Sequence, residues 1–97
     1  MKIVAVTSCP TGIAHTYMAA EQLERAAQKL GHSIKVETQG AMGIENELSQ
    51  REIDEAELIV FAVGIPVRKR ERFTGRQVVE ISVQEAIKQP AAAFERV

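Results

Sequence analysis

The residues Lys2–Ser8, KIVAVTS, form a nearly unbroken run of β-branched and apolar side chains. That pattern belongs to a strand buried on both faces of a parallel sheet. From about Ala14 to Leu30 the period changes. Ala19, Leu23, Ala26, Ala27 and Leu30 recur at i, i+4, i+7, i+8 and i+11, the spacing of one face of an amphipathic helix. Gly31 supplies its stop. In SIKVETQG, Ile34, Val36 and Thr38 alternate with Lys35 and Glu37, which predicts a half-exposed strand towards the sheet edge. Ser49 is placed to cap a short helix from about Gln50 to Ala56. Leu58–Val63, LIVFAV, is a second buried strand, and Gln77–Ser82, QVVEIS, a weaker fourth. VQEAIKQ predicts a short last helix before Pro90, and Ala91 to Val97 a loose tail.

Strands alternating with helices predict an α/β three-layer sandwich: a mostly parallel four-stranded sheet with helices on both faces. Right-handed crossovers suggest the strand order 2-1-3-4. The first strand is then central, and the loop at its carboxyl end lies at the topological switch point where open α/β sheets bind ligands. Cys9 is in that loop.

Composition narrows the class. At 97 residues the chain is expected to form one domain over its whole length, with a single modest core. Hydrophobic residues make up 45% and charged residues 26%, a globular balance, and a net charge of −1 gives no general attraction to nucleic acid or an anionic membrane. The only cysteine has no second one for a disulfide or a CxxC pair, which fits a reducing compartment. The N-terminal stretch has neither the apolar length nor the cleavage site of a signal peptide. No run of about 18 apolar residues occurs. The expectation is a cytoplasmic protein that meets membranes only through a partner.

The chemistry gathers at residues 9–16, C-P-T-G-I-A-H-T, a strand-to-helix turn. Its backbone N–H groups, with a helix N-terminus behind them, favour an anion or a thiolate. Gly12 permits close approach to a bound group, Thr11 and Thr16 offer hydroxyls, and Pro10 stiffens the turn. The loop therefore suits a nucleophilic thiolate that cradles a phosphoryl group. Two other readings stand beside it. A lone cysteine is often a small buried hydrophobe. The spacing also matches the C-x5-R-S/T loop of tyrosine phosphatases, except that position 15 is His15. An arginine there would grip phosphate as a fork, which histidine cannot do. The one aspartate, Asp54, lies in the acidic helix and not in a flexible loop where it could protonate a leaving group. A loop lacking both parts should form phosphocysteine and hydrolyse it slowly.

The stretch TSCPTGIAHTYMAAEQLERAAQKLGHSIKVETQG closely resembles the fructose-family IIB domains of the bacterial phosphoenolpyruvate-dependent sugar phosphotransferase system. The resemblance continues through GIENELSQREI, ERFTGRQVVEIS and VQEAI. It implies that Cys9 accepts a phosphoryl group from the phosphohistidine of a IIA protein and passes it to a sugar held by the membrane-embedded IIC. It further implies a phosphate cradle of Pro10, Thr11, Gly12, Ile13, Ala14, His15 and Thr16, a free-standing subunit, and a location at the inner face of the membrane through IIC. The chain departs from the family at IPVRKRERF, where Val67 is followed by Arg68, Lys69 and Arg70 and not by an acidic residue. A phosphatase or arsenate reductase, and a non-catalytic regulatory module, are the rival functions.

Other charged residues carry weaker signals. Five of the 12 basic residues lie between Arg68 and Arg76, a docking surface or a solvated loop. Six of the 13 acidic ones lie between Glu45 and Glu57. No aromatic residues interleave the basic run as single-strand nucleic-acid binding favours. His15 either faces the phosphoryl group or shapes the loop, and His32 reads as a surface residue. Neither has partners at zinc-ligand spacing, and no metal or soluble cofactor is implied. Gln39 and Gly40 close the second strand near the switch point. Met18, Met42 and Phe61 read as core or cover. A monomer is the simplest expectation.

Overall fold

The computed structural model describes residues 1–9, 13–40 and 43–95. The elements run β1 (Lys2–Ser8), α1 (Ile13–Lys29), β2 (Ser33–Gly40), β3 (Gly43–Glu45), α2 (Gln50–Glu55), β4 (Leu58–Val63), a 3-10 turn (Arg70–Phe73), β5 (Val79–Ile81), α3 (Val83–Lys88) and α4 (Ala91–Phe94). They form a mixed α/β domain around one sheet of order β3-β2-β1-β4-β5. The pairs of β1 with β2, β1 with β4 and β4 with β5 are parallel. The predicted order 2-1-3-4 survives as β2-β1-β4-β5, but the sheet has five strands, not four. The extra strand, β3, runs antiparallel along the outer edge of β2. Its three residues are too few to show an alternating pattern.

β1 is central, so both its faces are buried. Ile3 and Ala5 pack with Ala19, Leu23 and Ala27 of α1 and with Ala86 and Phe94 of the last two helices. Val4 and Val6 face the opposite side, where Leu48, Ile53, Phe61, Val67 and Phe73 complete a second cluster. The two-residue period of the strand thus divides the core into two layers.

Local signals explain most element boundaries. Ser49 and Glu52 form a reciprocal capping box at the start of α2, with Ser49 Oγ accepting from Glu52 N at 3.1 Å and Glu52 Oε1 accepting from Ser49 N at 2.9 Å. α1 ends in a Schellman motif: His32 N donates to Ala27 O at 2.8 Å and Gly31 N to Gln28 O at 3.1 Å. Gly31 has φ +80°, which suits a residue without Cβ. Leu30, expected on the buried face, lies in this turn and is 52% exposed, while Ala20 takes a buried place.

Three further expectations are corrected. Ala91–Phe94 is not loose tail but the helix α4, with Ala93 and Phe94 buried in the first cluster. The Phe94 ring meets the half-buried His32 edge-on at 6.1 Å, so His32 is not a surface residue. A buried phenylalanine offsets the entropy of ordering these last turns. β2, expected to be half exposed, is buried from Val36 to Gln39. β3 covers its edge and the segment after β4 covers its face, so Glu37 and Gln39 are enclosed where alternation predicted solvent.

Candidate functional site

Cys9 follows β1, and the flanking strands β2 and β4 are reached by connections leaving in opposite directions. It therefore stands at the switch point, where the main chain of a parallel sheet opens. The thiol is half-buried and packs against the first apolar cluster. It lines a cavity of about 220 Å³ together with His15, Val63, Gly64, Ser82, Val83, Gln84 and Ile87. Gly64 is fixed there by donating to Ser8 O at 2.8 Å. Ser82 caps α3, its Oγ accepting from Glu85 N at 3.0 Å.

Among the expected cradle residues, Pro10, Thr11 and Gly12 lie outside the described residues, as does Met42. Ile13 opens α1, and Ala14 and His15 are exposed on its first turn. The structure brings His15 to the Cys9 cavity. It buries Thr16 at 1% exposure, where the Thr16 carbonyl accepts from Thr7 Oγ1 at 3.2 Å. Thr16 Oγ1 and Thr38 Oγ1 are both enclosed without hydrogen-bond partners among the described residues. The wall supplied by Ser82, Gln84 and Ile87 was absent from the sequence reading. It comes from a helix more than seventy residues away in sequence, and no local motif marks it. Among the described residues, no group of three or more His, Cys, Asp or Glu is disposed to hold a metal ion.

The basic run is sorted by the fold into two kinds of residue. Arg68, Lys69 and Arg70 keep exposed side chains. Lys69 Nζ meets Glu47 Oε2 at 2.8 Å, and Arg70 lies 5.4 Å from the Phe61 ring centre and 3.8 Å from Glu80 Oε1. Arg72 and Arg76, counted with them in sequence, are structural. Arg76 donates to Ile53 O at 2.5 Å and Ala56 O at 2.6 Å, closing the C-terminal end of α2. Arg72 forms a two-pronged pair with Glu37, Nη1 to Oε1 at 2.7 Å and Nη2 to Oε2 at 3.0 Å. Glu37 is fully enclosed and also accepts from Gln39 Nε2 at 2.6 Å and Leu48 N at 2.8 Å. Burial pushes the Glu37 carboxyl up, but the Arg72 fork, the Gln39 amide and the Leu48 N–H together hold it below its ordinary value. A larger depression of about 540 Å³ beside Phe61, Arg70 and Phe73 contains neither Cys9 nor His15.

Comparison with known proteins follows the same lines. The family model of the lactose/cellobiose-specific IIB subunit of the PTS system matches residues 4–96. The chain is similar to the PTS system fructose-like EIIB component 2 of Escherichia coli K12, 44% identical over 96 residues, covering 99% of this chain and 91% of that protein. It is also similar to the fructose-like PTS system EIIBC component of the same organism, 52% identical over 90 residues, covering 91% of this chain and 19% of that protein. A solution structure of the enzyme IIB subunit of the PTS system from Escherichia coli K12 superposes with a TM-score of 0.91 at 45% identity, covering 98% of this chain and 88% of that one.

Proposed function

Since the chain belongs to the IIB subunits of the sugar phosphotransferase system and is thereby a phosphoryl carrier, we propose that Cys9 is the atom-bearing nucleophile and that a fructose-like sugar is the final acceptor. The fructose-like names of its relatives support that acceptor over a lactose or cellobiose one. The observation carrying the assignment is the position of Cys9. It follows the central strand, rests on apolar packing and opens to a cavity shared with His15.

In the first step the Cys9 thiolate attacks the phosphorus of a phosphohistidine on a IIA protein. An S–P bond forms as the P–N bond breaks, and the imidazole nitrogen leaves with the electron pair. In the second step a sugar hydroxyl presented by IIC attacks the same phosphorus. The S–P bond breaks, the thiolate is restored, and the hydroxyl proton passes to a base on the acceptor side. The loop from Pro10 to Thr16 holds the transferred charge, with His15 at its rim. A phosphatase needs the arginine fork that His15 replaces, so the phosphocysteine is long-lived against water. No helix among the described residues is long and apolar enough to cross a membrane. Contact with the membrane then comes through IIC, with the chain at the cytoplasmic face.

Intact-mass analysis tests this, with the protein mixed with phosphoenolpyruvate, the two general phosphotransferase proteins and a fructose-type IIA. One added phosphoryl group is expected, and Cys9→Ser should lose it, because the thiolate and not a hydroxyl is the competent nucleophile near neutral pH. An adduct that persists in Cys9→Ser, or none with a fully phosphorylated IIA, overturns the assignment.

A further inference from the structure

Gln39 links the strand that leads into Cys9 to the segment that carries the exposed cations. Ser8, the residue before Cys9, donates its hydroxyl to Gln39 O at 3.2 Å. The Gln39 side chain, 2% exposed, reaches the other way. Its Oε1 accepts from Arg68 N at 2.8 Å and its Nε2 donates to Arg68 O at 3.1 Å. One side-chain amide thus gives Arg68 both bonds that a neighbouring strand would supply. Nε2 also donates to Glu37 Oε2, so the amide's orientation is fixed by a charged acceptor. Arg72 adds donors to Arg68 O at 3.2 Å and Lys69 O at 2.9 Å, and Lys69 is held at φ +56°.

A buried glutamine and a buried ion pair are costly ways to fill an interior. Here four of their hydrogen bonds end on the main chain of Arg68 and Lys69 and two on that of Leu48, while the side chains of Arg68 and Lys69 are exposed, the latter beside Glu47. Gly64, four residues earlier on the same segment, lines the Cys9 cavity, so this backbone rises along the carboxyl edge of the sheet where the thiol lies.

We infer that Gln39 is a positioning residue for phosphoryl transfer: it fixes the backbone of Arg68 so that Arg68 and Lys69 meet an acidic surface bordering the phosphohistidine of the donor IIA protein. This rests on the carrier function above. Cations fixed at the rim speed and orient the encounter with a phosphorylated, anionic partner, while leaving the chemistry at sulfur unchanged.

The test is steady-state transfer from phosphorylated IIA to the full chain at several ionic strengths. Gln39→Leu keeps the side-chain bulk and removes the clamp. KM for IIA should rise on the order of tenfold at low salt, the size of one displaced charge contact, with kcat held within about twofold. Its salt dependence should flatten as that of Arg68→Ala does, and the double variant should be no worse than either single one. A lowered kcat at unchanged KM would mean a purely structural role and overturn the inference, as would strictly additive effects or a defect confined to the IIC step. Should Gln39→Leu fail to fold, Arg68→Ala decides alone, since unchanged KM and salt slope in that variant also overturn it. A wild-type chain that takes no phosphoryl group from IIA overturns the carrier function itself, a result that the variants cannot mimic.

Discussion

Replacing Arg72 by alanine isolates what the interior ion pair contributes. In the native chain the Glu37 side chain is fully enclosed and that of Arg72 is 11% exposed. The variant leaves the carboxylate with only the Gln39 amide and the Leu48 N–H. A buried pair adds little net stability against an apolar pair of the same shape, but removing one partner strands the other charge, at a cost of about 3–5 kcal/mol. Arg72 also stacks 5.2 Å from the Phe73 ring centre, which adds a smaller loss. A loss of about 4 kcal/mol is a large part of the roughly 5–15 kcal/mol that holds a small domain together. With a urea dependence of about 1.5 kcal/mol per molar, the unfolding midpoint should fall by roughly 2–3 M.

The pH dependence gives a sharper criterion than the midpoint. In the native chain the Glu37 carboxyl lies below its ordinary value of 4.5. Its contribution to stability is therefore complete above that value and is lost as pH falls through the lowered one. In Arg72→Ala the guanidinium no longer opposes burial, so the carboxyl moves up from its native value while the Gln39 amide and the Leu48 N–H still pull it down. Folded wild type then holds the proton less tightly than the folded variant, so the stability advantage of wild type narrows as pH falls through the interval between their two carboxyl values. Urea midpoints at pH 7, 6 and 5, taken as differences from wild type, cancel the histidine contributions common to both. The double replacement Glu37→Gln with Arg72→Met should recover most of the loss, since it buries no charge. A single variant within about 1 kcal/mol of wild type at pH 7, with no narrowing of the difference as pH falls, would refute the reasoning.

Two predictions concern the outer layers. Ser49→Ala removes half of the capping box and should cost about 1 kcal/mol by chemical denaturation. It should move the Glu52 carboxyl only slightly upward from about 2, as titration by NMR would read. The Lys35 side chain and the Ser49 backbone N–H that chiefly hold it are kept, and only the smaller Ser49 hydroxyl contribution goes. Phe94→Ala should destabilise the domain by about 3 kcal/mol or more if α4 is part of the core. A change below about 0.5 kcal/mol would return these residues to the status of a loose tail.

The sequence carried the strands that need no partner to be recognised. β1 and β4 are apolar on both faces, and α2 is announced by Ser49 and Glu52 three residues apart. Cys9 and His15 were legible for the same reason, because a strand–turn–helix junction brings them together through local chain geometry. β2 was misread because a buried glutamate and an exposed one look alike in an alternating strand. What distinguishes Glu37 is Arg72, and Arg72 was itself masked among neighbouring surface cations. Long-range pairing also hid the Gln39 clamp and the Ser82–Ile87 wall. β3 and α4 escaped because each is only a few residues long and is ordered by what it packs against.

Alternation along β1 separates two tasks that a carrier must perform on one strand. Ser8 and Cys9 are adjacent, so their side chains leave opposite faces of the sheet. Cys9 meets the α1 side, packed against the first apolar cluster. Ser8 meets the side where Gln39, Glu37 and Arg72 hold the Arg68 backbone. The thiol is therefore placed by apolar packing and the cationic rim by a polar network, with a single peptide unit joining them. Damage to the network changes how a donor arrives and leaves the surroundings of the sulfur as they were. Sugar phosphorylation from a chain already loaded at Cys9 should accordingly proceed at the wild-type rate in Gln39→Leu, even where loading from IIA is slow.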